Sequence, residues 1–313
     1  MPAESEGVYV DLQELIRLKH QGQGFSFLPR QPVHSLLAGQ KASKLRGRGL
    51  NFEEIREYLP GDDIRSMDWK VTARMRKPHT RVYTEERDRP TLLVVDQRMS
   101  MFFGSQNALK SVIAAQVAAL AAWRVVGVGD RVGALVFNDT DIDEVRPHRS
   151  NRTVMRILDV LVSKNHALKA SNPPKSNPGQ LNEVLQLACR LAQHDTLVCV
   201  ISDFEGSDEL TQKLLTRLVQ HNDVLAGMVF DPLEADLPKG GQLVVGDGEL
   251  QPEFDSEDPE LRNRYLTAGT ARREQLQSFL MTRQIPLLPL HTGASVAHQI
   301  RQHLGYRTKR VSQ

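Results

Sequence analysis

Two short stretches constrain this chain more than any others: PTLLVVD, Pro90–Asp96, and TLVCVISD, Thr196–Asp203. Each is apolar almost throughout, rich in β-branched residues, and ends at a carboxylate. Near-continuous apolarity over that length reads as a strand buried on both faces, the condition of a parallel sheet covered by helices. From Pro90 onward such runs alternate with longer helical patterns, which predicts a doubly wound α/β fold with six strands, mostly parallel.

The intervening segments fill in that plan. NALKSVIAAQVAALAAWRVV, beginning at Asn107, has few polar positions and is expected to lie against the sheet. DRVGALVFND and IDEVRPHR, joined by the turn Asn138-Asp139-Thr140-Asp141, predict a hairpin that places one antiparallel strand at a sheet edge. Helices are predicted over NRTVMRILDVLVSK and, after the Pro/Asn loop NPPKSNPG, over QLNEVLQLACRLAQ. SDELTQKLLTRLVQ opens with Ser207 as the expected N-cap. Strand DVLAGMVFD, an acidic hairpin insertion near 232–258, a long helix from Pro259 to Arg283, strand IPLLPLH and helix ASVAHQIRQHL complete the pattern.

Residues 1–89 read differently. A helix near Leu12 to Lys19 precedes the Gly/Arg/Lys-rich arm AGQKASKLRGRG; a turn follows at Pro60-Gly61-Asp62-Asp63, then a half-buried strand TRVYTEE. The expected division is an N-terminal helix, basic arm and small β-containing appendage over 1–89, a main domain over 90–305, and a basic tail over 306–313. A chain of 313 residues accommodates such a core with an appendage.

The formal charge of +2 implies no polyanionic partner, but its distribution is uneven. Arg30 to Arg81 holds 12 Lys/Arg against 6 Asp/Glu, whereas Asp231 to Glu260 holds 1 against 10. Such asymmetry predicts faces for different neighbours. Cys189 and Cys199 sit in apolar segments without metal or disulfide spacing and read as core thiols of a reduced compartment. The acidic N-terminus does not resemble a signal peptide, and no window approaches the roughly 20 apolar residues of a membrane span, so a cytoplasmic protein without membrane insertion is expected.

In an open parallel sheet, ligands sit beyond the carboxyl ends of strands where the strand order reverses. If the two apolar strands are central neighbours, Asp96 and Asp203 both reach that crevice, with the hydroxyls of Ser100 and Ser202 nearby. Two carboxylates and a hydroxyl are the hard oxygen donors that magnesium prefers. Strand-end aspartates also cap loops, and that alternative stays open.

This arrangement resembles a von Willebrand factor A domain, whose metal-ion-dependent adhesion site takes Asp-x-Ser-x-Ser after the first strand, a Thr from a later loop and an Asp after the fourth strand. GRGLNFEEIREYLPGDDIRSMDWKVTAR followed by EERDRPTLLVVDQRMSMFFGS is similar to the bacterial family labelled domain of unknown function fifty-eight, and the likeness covers about Ser35 to Leu304. The resemblance implies metal ligands at Asp96, Ser100 and Asp203. Arg98, however, stands at the middle serine position, and SNPPKSNPGQ offers no Thr. The implied site is weak or absent as a metal site: no cofactor, or weakly bound Mg2+. Arg98 either forms a built-in cation with Asp96 and Asp203 or points to solvent. In the first case, a guanidinium within about 4 Å of two carboxylates, at an effective dielectric near 20, supplies a few kcal/mol.

The resemblance further implies a non-catalytic protein-interaction module. It would be an adaptor for a MoxR-type AAA+ ATPase and a client protein, docking an acidic side chain at Asp96, Arg98, Ser100, Ser202 and Asp203. Two rivals come from other classes. One is a nucleic-acid-binding protein using the basic arm 41–81, with Trp69 and Tyr83 for stacking, a partner class that the interspersed acids argue against. The other is a metal-dependent hydrolase, for which no Gly-x-Ser-x-Gly or His-Glu-x-x-His motif is present. HTGAS at His291 could hold an anion on helix amides, although capping by Ser295 or Thr292 accounts for it as well.

Overall fold

The computed structural model describes residues 7–21, 50–60, 62–85, 90–171, 173–234, 242–244, 253–255 and 259–304. In chain order the elements are α1 (Leu12–Arg17), β1 (Leu50–Glu57), α2 (Trp69–Met75), β2 (His79–Glu85), β3 (Thr91–Asp96), α3 (Lys110–Gly127), β4 (Val132–Phe137), β5 (Ile142–His148), α4 (Asn151–Ala167) and α5 (Gln180–Leu191). They continue with β6 (Leu197–Ser202), α6 (Glu209–Val219), β7 (Asp223–Phe230), β8 (Gln242–Val244), β9 (Glu253–Asp255), α7 (Pro259–Thr282), β10 (Leu287–His291) and α8 (Val296–Leu304). Residues 1–30 and 89–313 cluster as one unit and 31–88 as another.

The main unit is an α/β domain around a six-stranded sheet of order β10-β7-β6-β3-β4-β5. All pairs are parallel except β4 with β5, so the antiparallel strand lies at the edge, as the hairpin predicts. Every residue of β3, β4 and β6 is buried. Because side chains alternate across a strand, Leu93 and Val95 join the core on one face with α3, α4 and α8. Leu92 and Val94 join the core on the other face with α5, α6 and α7.

Helix α3 crosses the first of these layers, and its alanines at 114, 115, 118, 119, 121 and 122 are all buried. It also corrects one expectation, because its length and composition would suffice for a membrane span. However, 78% of it is buried inside the fold, as expected of a core helix.

The main unit reclaims the N-terminal helix from the expected appendage. Asp11 caps α1 through Gln13 N–H and Glu14 N–H, and Val10, Leu15 and Leu18 are buried in the α3/α4 core. Three long-range bonds fix the segment: Val10 N–H to Asn165 Oδ1 at 2.9 Å, Trp123 Nε1–H to Leu15 O at 3.1 Å, and Gln116 Nε2–H to Glu14 Oε1 at 2.6 Å. Sequence proximity to the arm suggested an appendage; the apolar face of α1 assigns it to the core.

In the second unit, β1 and β2 pair antiparallel, with a bulge between Phe52 and Glu54. Helix α2 is an unanticipated element, capped by Asp68, whose carboxylate also takes Arg81 Nε–H. Ion pairs within this unit join Arg56 to Asp62, Lys77 to Glu57 and Arg81 to Asp68. The arm from Lys41 to Gly49, the side chain of Tyr83 and the tail 306–313 lie outside what the structure describes. Of the acidic insertion it describes β8 and β9, which pair antiparallel as the hairpin predicts. The expected N-cap Ser207 gives way to Asp208, which forms a capping box with Thr211.

Leu15→Ala should lower the urea midpoint by the equivalent of about 2–5 kcal/mol. Leu59→Ala, in the appendage and 58% exposed, should stay within about 0.5 kcal/mol of wild type. Trp123 fluorescence in a Trp69→Phe background measures the first. An unchanged midpoint for Leu15→Ala would return α1 to the appendage.

Candidate functional site

Strand order reverses between β3 and β6, whose neighbours β4 and β7 lie on opposite sides. Both strands end at this point, which brings the strand-end carboxylates of Asp96 and Asp203 to one crevice. Asp96 and Ser202 are fully buried and Arg98 is 2% exposed. The Ser202 hydroxyl donates to Asp96 Oδ2 at 2.6 Å and accepts Phe204 N–H at 2.8 Å.

Arg98 fills the middle of the crevice. Its backbone N–H and Nε reach Asp96 Oδ1 at 3.0 Å each, and Nη2 reaches Asp96 Oδ2 at 2.7 Å. Nη2 also lies 3.6 Å from Asp203 Oδ1. Nη1 donates to Glu205 O at 3.0 Å and Pro178 O at 3.4 Å, and the guanidinium carbon sits 5.5 Å from the centroid of the Phe137 ring. The loop that lacks a threonine thus contributes a carbonyl to the guanidinium.

A second cation completes the set. Lys110, the first residue of α3, places Nζ 3.0 Å from Asp203 Oδ2 and 2.8 Å from Glu234 Oε1, and Glu234 Oε2 lies 3.8 Å from Arg273 Nη2. Charges therefore alternate across the crevice in the order Asp96, Arg98, Asp203, Lys110, Glu234, Arg273. Lys110 and Glu234 escaped the sequence reading, although a signal existed for the lysine. A cation in the first turn of an apolar helix opposes the helix dipole, so it requires a carboxylate partner.

Burial raises the Asp96 carboxyl from its ordinary value, and Arg98 pulls against that rise. The hydrogen bonds from Arg98 and Ser202 to both of its oxygens favour the ionised form against that burial. Burial works against the charged forms of Arg98 and Lys110, but the facing carboxylates outweigh it and hold both above their ordinary values. For Asp203 burial is outweighed in turn by Lys110 and then Arg98, and its carboxyl lies below the usual value.

The surrounding loops are held as firmly. Asp139 accepts Met99 N–H at 2.6 Å and Asn177 N–H at 2.9 Å. Phe204 adopts a left-handed φ of 55°, a strained conformation for a bulky residue, costing about 1–3 kcal/mol. Gly206, at φ 75°, approaches Pro178 so closely that a Cβ would lie 2.4 Å from that ring's Cβ. Across the crevice, the buried carboxylate of Asp231 accepts from Ser105 Oγ, Thr292 Oγ1 and the N–H groups of Ser105 and Leu233. The Thr292 hydroxyl is thereby tied to this carboxylate.

The donor set does not fit a divalent ion. The guanidinium lies within hydrogen-bonding distance of the Asp96 oxygens that would ligate one, and two chain-supplied cations already face the strand-end carboxylates. Ser100 Oγ is buried and has no hydrogen-bond partner among the described residues. Among the described residues no three His, Cys, Asp or Glu side chains form a metal cluster. Burial pushes the Cys199 thiol up to about 12, consistent with a core residue of β6.

Strand order and antiparallel edge define a doubly wound, von Willebrand factor A-like α/β domain with built-in cations in its strand-end crevice. The chain belongs to the family described as Protein of unknown function DUF58, whose model matches residues 54–275. Uncharacterized protein Mb1516 of Mycobacterium bovis and Uncharacterized protein Rv1480 of Mycobacterium tuberculosis are each 32% identical over 269 residues, covering 84% of this chain and 81% of theirs. Among solved structures, the conserved hypothetical protein BatB from Bacteroides thetaiotaomicron is 13% identical at a TM-score of 0.39, covering 67% of this chain and 93% of its own. The SpRpn10 VWA domain is 12% identical at 0.38, covering 68% and 94%.

Titrating the wild type with magnesium in a calorimeter should give no saturable heat in the micromolar range. Arg98→Ser, which returns a hydroxyl to the middle position and uncovers Asp96, should gain a measurable isotherm. Tight wild-type binding lost in Asp203→Ala would overturn the built-in-cation assignment.

Acid stability provides a second check. For Asp231, burial is outweighed by the donors of Ser105 and Thr292, which hold its carboxyl below the ordinary value. A depressed folded-state value means stability that is present above the unfolded pKa of about 4 and lost as pH falls through the folded one. Wild type should therefore exceed Asp231→Asn in denaturant midpoint at pH 7, with the gap closing below pH of about 4.

Proposed function

We propose that this chain is a non-catalytic protein-interaction module, an adaptor for a MoxR-type AAA+ ATPase acting on a client protein, and that it docks through a degenerate adhesion site without a metal. The observation that carries the reading is the pair of built-in cations, Arg98 and Lys110, facing the strand-end carboxylates. In a metal-dependent site an ion from solution supplies that charge and is lost to chelators; here covalently attached side chains supply it. The rim that a partner meets consists of Phe103, 39% exposed and with its ring centroid 5.9 Å from Lys110 Nζ, together with the exposed Glu205 and the half-buried Glu234.

One observation favours the nucleic-acid rival. Trp69 is 66% exposed beside Lys70 and Arg74 on α2. Both readings meet the same experiment. Wild type and Phe103→Asp serve as bait in cell extract at physiological salt, with magnesium or with a chelator, and the retained proteins are identified by mass spectrometry. Retention of a MoxR-type ATPase by wild type, unaffected by chelator and at least about tenfold weaker with Phe103→Asp, is the expected result. Retention of nuclease-sensitive material in its place would replace this reading with the nucleic-acid one.

A further inference from the structure

We propose that the Lys110 ammonium is a carboxylate-binding site and that Glu234 is the chain's own occupant of it, displaced when an acidic side chain of a partner docks. This rests on the interaction-module reading and adds to it the chemistry of the incoming group and an internal competitor for it.

Asp96, Arg98, Asp203 and Lys110 form a buried set that is neutral by itself, two carboxylates against two cations. Glu234 is therefore not required to neutralise Lys110, and its negative charge is offset on the far side by Arg273 at 3.8 Å. What Glu234 supplies is one acceptor for an ammonium that has three N–H donors, and any carboxylate can supply the same.

Exposure distinguishes the members further. The side chains of Asp96, Arg98, Asp203 and Lys110 are at most 7% exposed, whereas that of Glu234 is 28% exposed. Only Glu234 can leave without opening the core. An ion pair at a partly exposed site is also weak in itself, with a median worth of about 0–1 kcal/mol, so exchange for another carboxylate is nearly balanced.

The backbone favours such an exchange. Glu234 ends a three-residue turn, Pro232–Glu234, which is anchored at its start by the buried Asp231. The turn holds the carboxylate against Lys110. Phe103, whose ring faces the same ammonium, supplies an apolar wall beside the vacated position.

The test uses the full chain labelled with 15N, acetate as the probe at constant ionic strength, and the side-chain ammonium signal of Lys110, assigned by its loss in Lys110→Met. In Glu234→Ala the signal should shift saturably with acetate. In wild type, where the internal carboxylate competes, the midpoint should lie higher, by up to about fivefold. No saturable shift in Glu234→Ala, or equal midpoints in the two proteins, would overturn the inference, provided the backbone amide spectrum of β3 and β6 is retained. If the ATPase is still captured by wild type while acetate fails to bind, this inference falls and the interaction reading stands. If acetate binds and no ATPase is captured, the site stands and the adaptor reading falls.

Discussion

A guanidinium buried at the carboxyl end of a parallel sheet is the constraint on which the rest of the main unit depends. Removing Asp96 and Arg98 from water costs several kcal/mol per ion, which the pair recovers only if the geometry is good and the remaining donors are satisfied. Arg98 meets both conditions: three of its N–H groups face Asp96, and Nη1 reaches carbonyls in two different loops. The loops at 177–178 and 203–206 are held by that requirement, and the strained backbone at Phe204 persists because its surroundings over-determine it. Ionic pairing here fixes shape as much as it contributes stability.

The second cation couples this crevice to the helical layer. Lys110 begins α3 directly after Leu109, whose N–H is bonded to Gly7 O, and α3 packs against α1 along its buried face. Gly7 is required there, since a Cβ at its φ of 87° would lie 2.2 Å from Asn107 O. The N-terminal segment and the crevice cation thus share one helix end. Buried amides extend the connection: Asn165 bonds both Val10 N–H and Gln97 Oε1, one residue beyond the strand-end aspartate.

In the appendage, acids and bases have unequal roles. Asp62, Asp63 and Asp68 are engaged in capping turns, in ion pairs or in both, while Lys70 and Arg74 are exposed on α2. A count along the sequence treats the acids as cancelling the bases. In the folded unit Asp62, Asp63 and Asp68 also accept backbone N–H groups at turns and helix starts.

The sequence by itself determined the sheet. Apolar runs such as Leu92–Val95 and Val198–Ile201 are local patterns, and burial on both faces leaves a strand few alternatives. It also located Asp96, Arg98, Ser202 and Asp203 at one strand-end position, because strand ends in this fold meet there. Only the tertiary structure decided what neutralises those carboxylates. Lys110 finds Asp203 93 residues away and Glu234 124 residues away, distances over which no periodicity carries information. It likewise decided that α1 belongs to the main core, since which apolar face covers which depends on shape and volume across the fold. Patterning along the chain specifies whether a residue is buried; the identity of its partner depends on long-range packing and on the cost of leaving a buried charge alone.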